Sequence, residues 1–331
     1  MNRFNVPDTY AVWSKNSDTR FNSTSGGAFS EFAKIILSKG GIVIGAAYTK
    51  DNYVQHIAID RLEDLPKIRQ SKYVSSSIGD MYLKTRESLK KGKLVGFCGA
   101  PCQIAGLYKF LNKEYDNLFT MDFICRGMNS PKALHSWLNE IESKENKKVN
   151  RVWFKYKVGG WKSSPKRTRL DFVDGTYKVY SGEKNLFMYV YLTSNLFIRP
   201  CCCNCQFKGV PRKSDVTFAD FWGIEKKFDD DKGTSLLLIN SEKGRKIFNN
   251  ISCNLFIHKK NFESIFKGNP MFFRSADLPE NSKEFLSDLD NMSLSEALKK
   301  HNSYPKKLTL VRRVVKKIYS TSKRLKSKII R

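Results

Sequence analysis

Four of the eight cysteines in this chain lie within five consecutive positions, from Cys201 to Cys205. Among them, Cys202 and Cys205 form a Cys-x-x-Cys pair, whose spacing allows both thiolates to bind one metal centre, as in iron–sulfur clusters and zinc sites. Two further ligands are then needed, and Cys102 and Cys125 are natural candidates because each lies near the end of a predicted buried strand. The fold must therefore bring three chain segments together. The alternative is that these cysteines are buried apolar side chains, a common environment for free thiols.

The length and composition of the chain fit a globular protein with a substantial core. It has 331 residues, of which 40% are hydrophobic, enough for one large domain or two modest ones. No apolar run approaches the length needed to span a bilayer, and the first residues lack the layout of a signal peptide. The sequence therefore predicts a cytoplasmic protein. In that reducing compartment eight cysteines indicate metal or redox chemistry rather than disulfide bonds.

The formal net charge of +27 is large and unevenly distributed. Residues 306–331 contain eleven Lys or Arg and no acidic residue, and their apolar side chains recur on one helical stripe. This pattern predicts a basic amphipathic C-terminal helix that binds an anionic membrane surface, peripherally at the inner membrane face. The alternatives are a solvated basic terminus or a docking helix for an acidic partner. Because no nucleic-acid-binding module accompanies the charge, nucleic acid is not a predicted partner.

The order of the predicted elements indicates an α/β protein. Residues 1–147 alternate apolar strands with amphipathic helices, the pattern of a mixed, mostly parallel sheet with flanking helices. Residues 148–260 are richer in strands and predict a smaller β-rich subdomain, in which the turn dipeptide Asp174-Gly175 joins two strands. Residues 261–305 show no clear periodicity, and the basic segment 306–331 follows them.

A polar turn at residues 23–27, STSGG, precedes a predicted helix. Backbone N–H groups at such a helix start can bind an anion, so Ser25, Gly26 and Gly27 are candidates for holding a phosphate or pyrophosphate. A side chain at Gly26, as in Gly26→Val, would then block the approach of the anion to the backbone. The alternative is that the turn only connects two elements.

Seven stretches, spread over roughly residues 10–260, resemble the beta subunits of coenzyme F420 hydrogenases and dehydrogenases. The matching stretches are STSGG (23–27), SKYVSS (71–76), GAPCQIAGL (99–107), DFICRG (122–127), RPCCCNCQFKG (199–209), SDVTFADFWGI (214–224) and GTSLLLINSEKG (233–244). The resemblance implies an iron–sulfur flavoprotein oxidoreductase, in which FAD exchanges a hydride with a substrate and a 4Fe-4S cluster carries single electrons. The cluster ligands of the family fall on Cys102, Cys125, Cys202 and Cys205. Cys98, Cys201 and Cys203 are then spare thiols, with shared ligation as the alternative.

The resemblance also implies where the flavin binds, although no motif indicates a catalytic residue. The implied flavin contacts are Ser25, Gly26, Gly27, Lys72, Tyr73, Thr234 and Ser235. Lys72 has the alternative interpretation of a solvated surface charge. Thr234 and Ser235 have that of residues that only begin a strand.

Partners and substrate follow from the same resemblance. Many relatives begin with a ferredoxin-like module that carries two further cysteine clusters, whereas this chain has no cysteine before Cys98. We therefore expect a separate, ferredoxin-like electron donor or acceptor protein; the alternative is chemistry on the flavin alone. Bacterial relatives lie among genes for surface-polysaccharide biosynthesis, which implies a sugar intermediate or lipid-linked glycan as substrate.

The competing hypothesis is a non-catalytic accessory protein of a glycan-synthesis pathway, stabilised by zinc. In that case the four cysteines would hold a structural ion and no electrons would move. Zinc sites built from four cysteines usually use two Cys-x-x-Cys pairs, whereas this chain offers one pair and two distant single cysteines. This difference favours iron.

Overall fold

The computed structural model describes residues 3–305, and its central feature is a large mixed β-sheet. In chain order the strands are β1 (Asp8–Ser14), β2 (Ile42–Tyr48), β3 (Val54–Ile59), β4 (Val95–Cys98), β5 (Leu118–Phe123), β6 (Val149–Phe154), β7 (Arg167–Phe172), β8 (Tyr177–Ser181), β9 (Val216–Asp220), β10 (Ser235–Ile239) and β11 (Leu255–Lys260). Eight of these form one sheet in the order β11-β1-β10-β9-β5-β4-β2-β3, and β6, β7 and β8 form a second sheet. The predicted α/β class with a smaller β-rich part is confirmed.

Helices flank both sheets. The α-helices are α1 (Ser17–Phe21), α2 (Ala28–Ser38), α3 (Leu65–Ile68), α4 (Met81–Lys90), α5 (Pro101–Leu111), α6 (Pro131–Glu145), α7 (Leu186–Thr193), α8 (Glu242–Ile251), α9 (Ser282–Asp288) and α10 (Leu294–Lys300). The helix predicted after the 23–27 turn is α2. The segment 261–305, which showed no periodicity, contains the short helices α9 and α10. The basic helix predicted for residues 306–331 lies outside the described residues.

Parallel pairing is confined to the middle of the large sheet, where β2, β4, β5 and β9 run in the same direction. The remaining four pairs in this sheet are antiparallel: β2–β3, β9–β10, β1–β10 and β1–β11. The sheet therefore contains fewer parallel pairs than the pattern of residues 1–147 suggested. The connection from β2 to β3 shows the reason. A turn closed by the bond from the Thr49 N–H to the Tyr53 carbonyl is too short for the crossover that parallel strands need.

The large sheet takes strands from both halves of the chain. β1, which the sequence did not predict, is inserted between β10 and β11 from the C-terminal half. The segments 1–147 and 148–260 therefore share one sheet, and the separate three-stranded sheet is the only β-structure in residues 3–305 that belongs to 148–260 alone. The predicted turn Asp174-Gly175 does join β7 to β8, with Gly175 in the left-handed region at φ 82°.

Alternating side chains on the parallel strands explain the layered core. Val43 of β2 packs with α2 and α8, whereas its neighbours Ile42 and Ile44 pack with α4 and α5 on the opposite face. Phe32 of α2 stacks on Phe119 of β5 with ring centroids 5.5 Å apart. This covering on both faces leaves the carboxyl ends of β2, β4, β5 and β9 at one edge, where ligands bind in open α/β sheets.

Candidate functional site

A cavity of about 650 Å³ lies at the carboxyl ends of the parallel strands. Its walls come from β2, β3 and the residues after β4 and β5, from the start of α2, from residues 68–76 and from α7. Lys155 and Pro165 at the ends of the small sheet, and residues 268–271, close the remaining side. Its volume falls within the range typical of pockets that enclose a cofactor or substrate.

The fold brings the four predicted metal ligands into one neighbourhood. Cys102 is the second residue of α5, Cys125 follows β5 by two residues, and Cys202 lies in a short 3-10 turn that Cys205 terminates. The Met128 N–H, three residues after Cys125, donates to Cys202 Sγ at 3.5 Å. Burial raises the pKa of Cys102, and the thiols of Cys202 and Cys205 raise it further.

Cys125 connects these thiols to the cavity. Burial raises the pKa of its thiol to about 12, with smaller upward contributions from Cys202 and Cys102, while Lys208 lowers it. Lys208 Nζ donates to the Cys125 carbonyl at 2.6 Å and to the Met271 carbonyl at 2.8 Å, so an ammonium group lies beside the thiols. Cys125 itself is also one of the residues that line the cavity.

The separation of these thiols can be compared with that of the ligands around a single ion. Thiolates around one zinc ion lie about 3.8 Å apart, because Zn–S bonds are about 2.3 Å long and tetrahedral. In residues 3–305 the only group with three ligand atoms within 4.8 Å of one another is Glu284, Asp288 and His301. No three cysteines in this part of the chain meet that distance. Iron–sulfur clusters use four cysteine thiolates bound to separate iron atoms, so their ligands lie farther apart than those of one zinc ion.

The remaining cysteines have different surroundings. Cys201 and Cys253 are exposed, and Cys203 packs against the core formed by the small sheet and α7. Cys98, at the end of β4, lines the cavity, and burial raises the pKa of its thiol to about 12. The charged groups that act on Cys98 are Asp122 and Lys72 rather than the four grouped thiols, so Cys98 lies on the cavity wall apart from that group.

Five of the seven predicted flavin contacts line the cavity. They are Ser25, Gly27, Lys72, Tyr73 and Ser235. Gly26 and Thr234 are not among the lining residues. The Gly26 N–H donates to Ser235 Oγ at 2.9 Å, and a Cβ built on Gly26 would lie 2.3 Å from the Val12 carbonyl oxygen. Gly26 therefore permits close approach to β1 and β10 and does not offer its N–H to an anion.

Gly27 ends the turn in a left-handed conformation, φ 94°, and α2 begins at the next residue. Ala28 and Phe29 of the first helical turn line the cavity, so this helix start faces the ligand space. Thr234 supports the turn from behind, because its carbonyl accepts a bond of 2.7 Å from Ser25 Oγ.

Lys72 is not a solvated surface charge. Its Nζ donates to the Arg69 carbonyl at 2.7 Å, and burial lowers the pKa of Lys72 to about 7. The neighbouring Tyr73 packs between the cavity and the small sheet, edge-on to Phe154 with ring centroids 5.3 Å apart. Both predicted residues thus belong to the cavity wall.

Sequence reasoning missed Arg69. Its guanidinium lines the cavity, and within residues 3–305 it makes no hydrogen bond or ion pair. Its Nε is fully buried, and the carboxylates of Asp18 and Glu31 act on it only over a longer distance. A half-buried cation without a partner is costly unless a ligand supplies the anion. The only available signal was a basic residue two positions before the matched stretch 71–76.

Sequence reasoning also missed Lys155, which contacts Asp220 on the cavity wall. Lys155 follows β6 of the small sheet and Asp220 ends β9 of the large sheet. Asp220 lies in the matched stretch 214–224, where the sequence predicts a structural or flavin-lining role for it together with Phe221 and Trp222. No local pattern indicated Lys155.

No helix among the described residues is long and apolar enough to cross a membrane. No curated protein matches the chain.

Among solved structures, the chain is similar to one from the F420-reducing [NiFe] hydrogenase complex of Methanosarcina barkeri, studied by xenon derivatisation. The TM-score is 0.53 at 15% sequence identity, and the match covers 91% of this chain and 94% of that one. The fold is thus shared across the whole length.

A family model for the C terminus of the coenzyme F420 hydrogenase/dehydrogenase beta subunit matches residues 92–264. The match spans more than half of the chain and includes all four thiols of the proposed metal group. It also includes Lys155 and Asp220. The chain therefore belongs to the coenzyme F420 hydrogenase/dehydrogenase beta-subunit family, a family of redox proteins.

Proposed function

We propose that this chain is an iron–sulfur flavoprotein oxidoreductase that couples hydride transfer at FAD to one-electron transfer through a 4Fe-4S cluster. The observation that carries the proposal is the position of Cys125. It belongs to the group of four thiols and also lines the 650 Å³ cavity, so a cluster and a flavin bound in these places would be neighbours. A hydride donor delivers two electrons at once, whereas a cluster accepts one at a time. The flavin must therefore pass its electrons singly to the cluster, and this transfer needs a short distance between the two groups.

The residues of the cavity suit a flavin dinucleotide. Arg69, Lys72 and the start of α2 offer positive charge and N–H groups to the pyrophosphate. Tyr73, Phe218 and Tyr191 give apolar surface for a ring system and exclude water from it. The flavin itself would supply the exchange between two-electron and one-electron chemistry.

The cluster would be held by Cys102, Cys125, Cys202 and Cys205. Lys208 and the start of α5, at Pro101, place positive charge beside these thiols and favour their ionised form. Cys102 is exposed, so one side of the cluster would be accessible to a separate ferredoxin-like donor or acceptor protein.

The substrate of the proposed enzyme is a sugar intermediate or lipid-linked glycan of surface-polysaccharide biosynthesis. The basic segment 306–331 would hold the enzyme near such a substrate at an anionic membrane surface. Rapid mixing of the reduced protein with nucleotide sugars, nicotinamide cofactors and the deazaflavin coenzyme tests this choice, since the true oxidant restores the flavin absorption fastest.

The proposal is tested by purifying the protein without oxygen and analysing iron, sulfide, zinc and flavin. We expect about four irons and four sulfides per chain together with one FAD. A broad visible absorption should bleach on reduction by dithionite, with the appearance of an electron paramagnetic resonance signal. Stoichiometric zinc without sulfide would instead support the accessory-protein hypothesis.

A further inference from the structure

Backbone conformation singles out two residues of the cavity wall. Eight non-glycine residues between 3 and 305 have positive φ, and six of them are Asn or Asp, which tolerate this conformation. The other two are Gln70, φ 73°, and Lys155, φ 54°, and both line the cavity. Strained backbone of this kind costs about 1–3 kcal/mol and is retained mainly at functional sites.

The conformation of Lys155 directs a buried ammonium group to a partly buried carboxylate. Lys155 is 5% exposed, and its Nζ contacts Asp220 Oδ2 and lies 5.1 Å from the centre of the Trp222 ring. Trp222 in turn stacks on Trp161 at 4.4 Å, with the two rings 9° from parallel. The pair is thus held between two sheets against a flat aromatic surface, with the cavity on its open side.

The pair is suited to handling protons rather than to anchoring an anion. Its charges already neutralise each other, unlike that of Arg69. A lysine ammonium can release a proton and a carboxylate can accept one. Burial favours the uncharged form of Lys155 and lowers its pKa to about 7. The contact with Asp220 brings this proton donor and a proton acceptor together on the cavity wall.

We propose that Lys155 and Asp220 form the proton-transfer pair of this cavity, which takes up a proton from solvent when the bound redox group is reduced and releases it on reoxidation. This rests on the proposed function. Two electrons entering the cavity from a reductant add negative charge in a site of low dielectric, and a proton gained by the pair compensates one of these charges. Reoxidation returns both electrons to the acceptor and the proton to solvent.

The same pair would serve a substrate whose carbon bears oxygen. If an alcohol were oxidised in this cavity, its carbon would lose a hydride to the bound redox group and its hydroxyl proton would pass to the pair, so that a carbonyl forms and atoms and electrons balance. An alcohol or its carbonyl counterpart is the substrate class that would use the pair in this way.

Other charged groups near the pair have their own partners. Lys157, two residues further on, interacts electrostatically with Lys155. Its Nζ donates to the carbonyls of Arg20 and Ser25, each at 2.5 Å. The Arg20 guanidinium is paired with Asp230 at 2.7 Å. These contacts leave Asp220 as the acceptor in direct contact with Lys155.

The test measures the midpoint potential of the bound flavin against pH from about pH 6 to 8, by titration with dithionite. The double variant Lys155→Asn, Asp220→Asn removes both charges, so no unpaired charge is buried, and asparagine tolerates positive φ. The matched control is Lys162→Asn, Asp229→Asn, a pair joined at 2.7 Å whose lysine is 57% exposed. Flavin content and melting temperature are measured for each protein first.

We expect the wild-type and control potentials to fall more steeply with pH than the potential of the double variant, by about one proton per two electrons. If the double variant loses its flavin, the double variant Lys155→Arg, Asp220→Asn provides the same comparison, because arginine does not release a proton and asparagine does not accept one. Equal slopes in flavin-loaded proteins would overturn this inference and leave the proposed function intact. A wild-type protein that binds no flavin would overturn the proposed function and this inference with it.

Discussion

Asp220 and Ser235 face each other as register partners at the cavity end of the antiparallel pair β9–β10. Asp220 is the last residue of β9, Ser235 is the first of β10, and both line the cavity. Ser235 is a flavin contact implied by resemblance to the family, whereas Asp220 is predicted only to be structural or flavin-lining. A predicted flavin contact, Ser235, is therefore directly opposite Asp220, a member of the proposed proton-transfer pair, in the sheet.

Replacing any one of the four grouped cysteines by serine is expected to remove most of the bound iron and the visible absorption. Serine is a poor ligand for iron. The loss of one thiolate ligand exposes an iron atom of the cluster to solvent and oxygen. Iron content, absorption and melting temperature are the measurements, with Cys125→Ser as the strongest case because Cys125 also lines the cavity. The control is Cys253→Ser, which changes an exposed thiol after α8. An iron-loaded Cys125→Ser protein would contradict the ligand assignment.

Arg69→Met is expected to weaken FAD binding by about 10- to 100-fold, because a hydrogen bond to a charged group contributes about 1.5–3 kcal/mol. Methionine keeps much of the side-chain volume while removing the charge. The dissociation constant can be measured by quenching of FAD fluorescence on titration with flavin-free protein. Arg61→Met is the control, since Arg61 is 74% exposed and lies 3.7 Å from Asp64 outside the cavity. Equal affinity in the two variants would exclude Arg69 from the flavin site.

The buried His56 should make stability depend on pH below neutrality. His56 is 4% exposed, and burial lowers its pKa to about 4 from the ordinary value of 6.5. Between these values the unfolded chain binds a proton that the folded protein excludes. The contribution is therefore complete above about pH 6.5 and declines by about 3 kcal/mol as the pH falls to about 4.

Urea unfolding at pH 5 and pH 7.5 measures this dependence. His56→Gln should lose less stability between the two pH values than the wild-type protein does. His135→Gln is a control in a half-buried position on α6. Equal pH dependence in the wild-type protein and His56→Gln would show that other groups cause the effect.

Gly26→Ala is expected to destabilise the whole protein, by about 1–3 kcal/mol or more, rather than to remove the flavin selectively. The added Cβ would lie 2.3 Å from the Val12 carbonyl oxygen and 2.7 Å from the Ser235 backbone nitrogen. This replaces the expectation that a side chain at Gly26 blocks an anion. Gly27, which lines the cavity, is the residue of the turn nearest the ligand space. Thermal denaturation of flavin-free protein is the measurement, because a defect limited to flavin binding would leave that melting temperature unchanged.

Residues 306–331 are expected to bind anionic membranes. Full-length protein should sediment with vesicles containing phosphatidylserine at low salt and be released at high salt, because screening weakens the attraction of eleven basic residues. Protein truncated after Pro305 should remain in the supernatant. Equal sedimentation of the two proteins would exclude the segment as a membrane anchor.

Local sequence was sufficient for most individual elements near the site. The apolar run 42–48 and the proline-led helix that begins at Pro101 are both present, because strand burial and helix starts depend on nearby residues. The Cys-x-x-Cys spacing and two strand-end cysteines likewise identified the four thiols that the fold brings together. Strands β1 and β11 were missed, since their place in the sheet depends on pairing with each other across more than two hundred residues.

Tertiary structure decided which residues face the cavity. Gly26 and Gly27 are adjacent in one motif, yet β1 and β10 cover Gly26 and leave Gly27 at the cavity wall. Lys155 and Asp220 come from different sheets, so their contact exists only once the small sheet has packed against the edge of the large one. A sequence pattern records periodicity and spacing along the chain. The burial that changes a pKa, leaves Arg69 without a partner or strains Lys155 arises only when distant segments exclude water together.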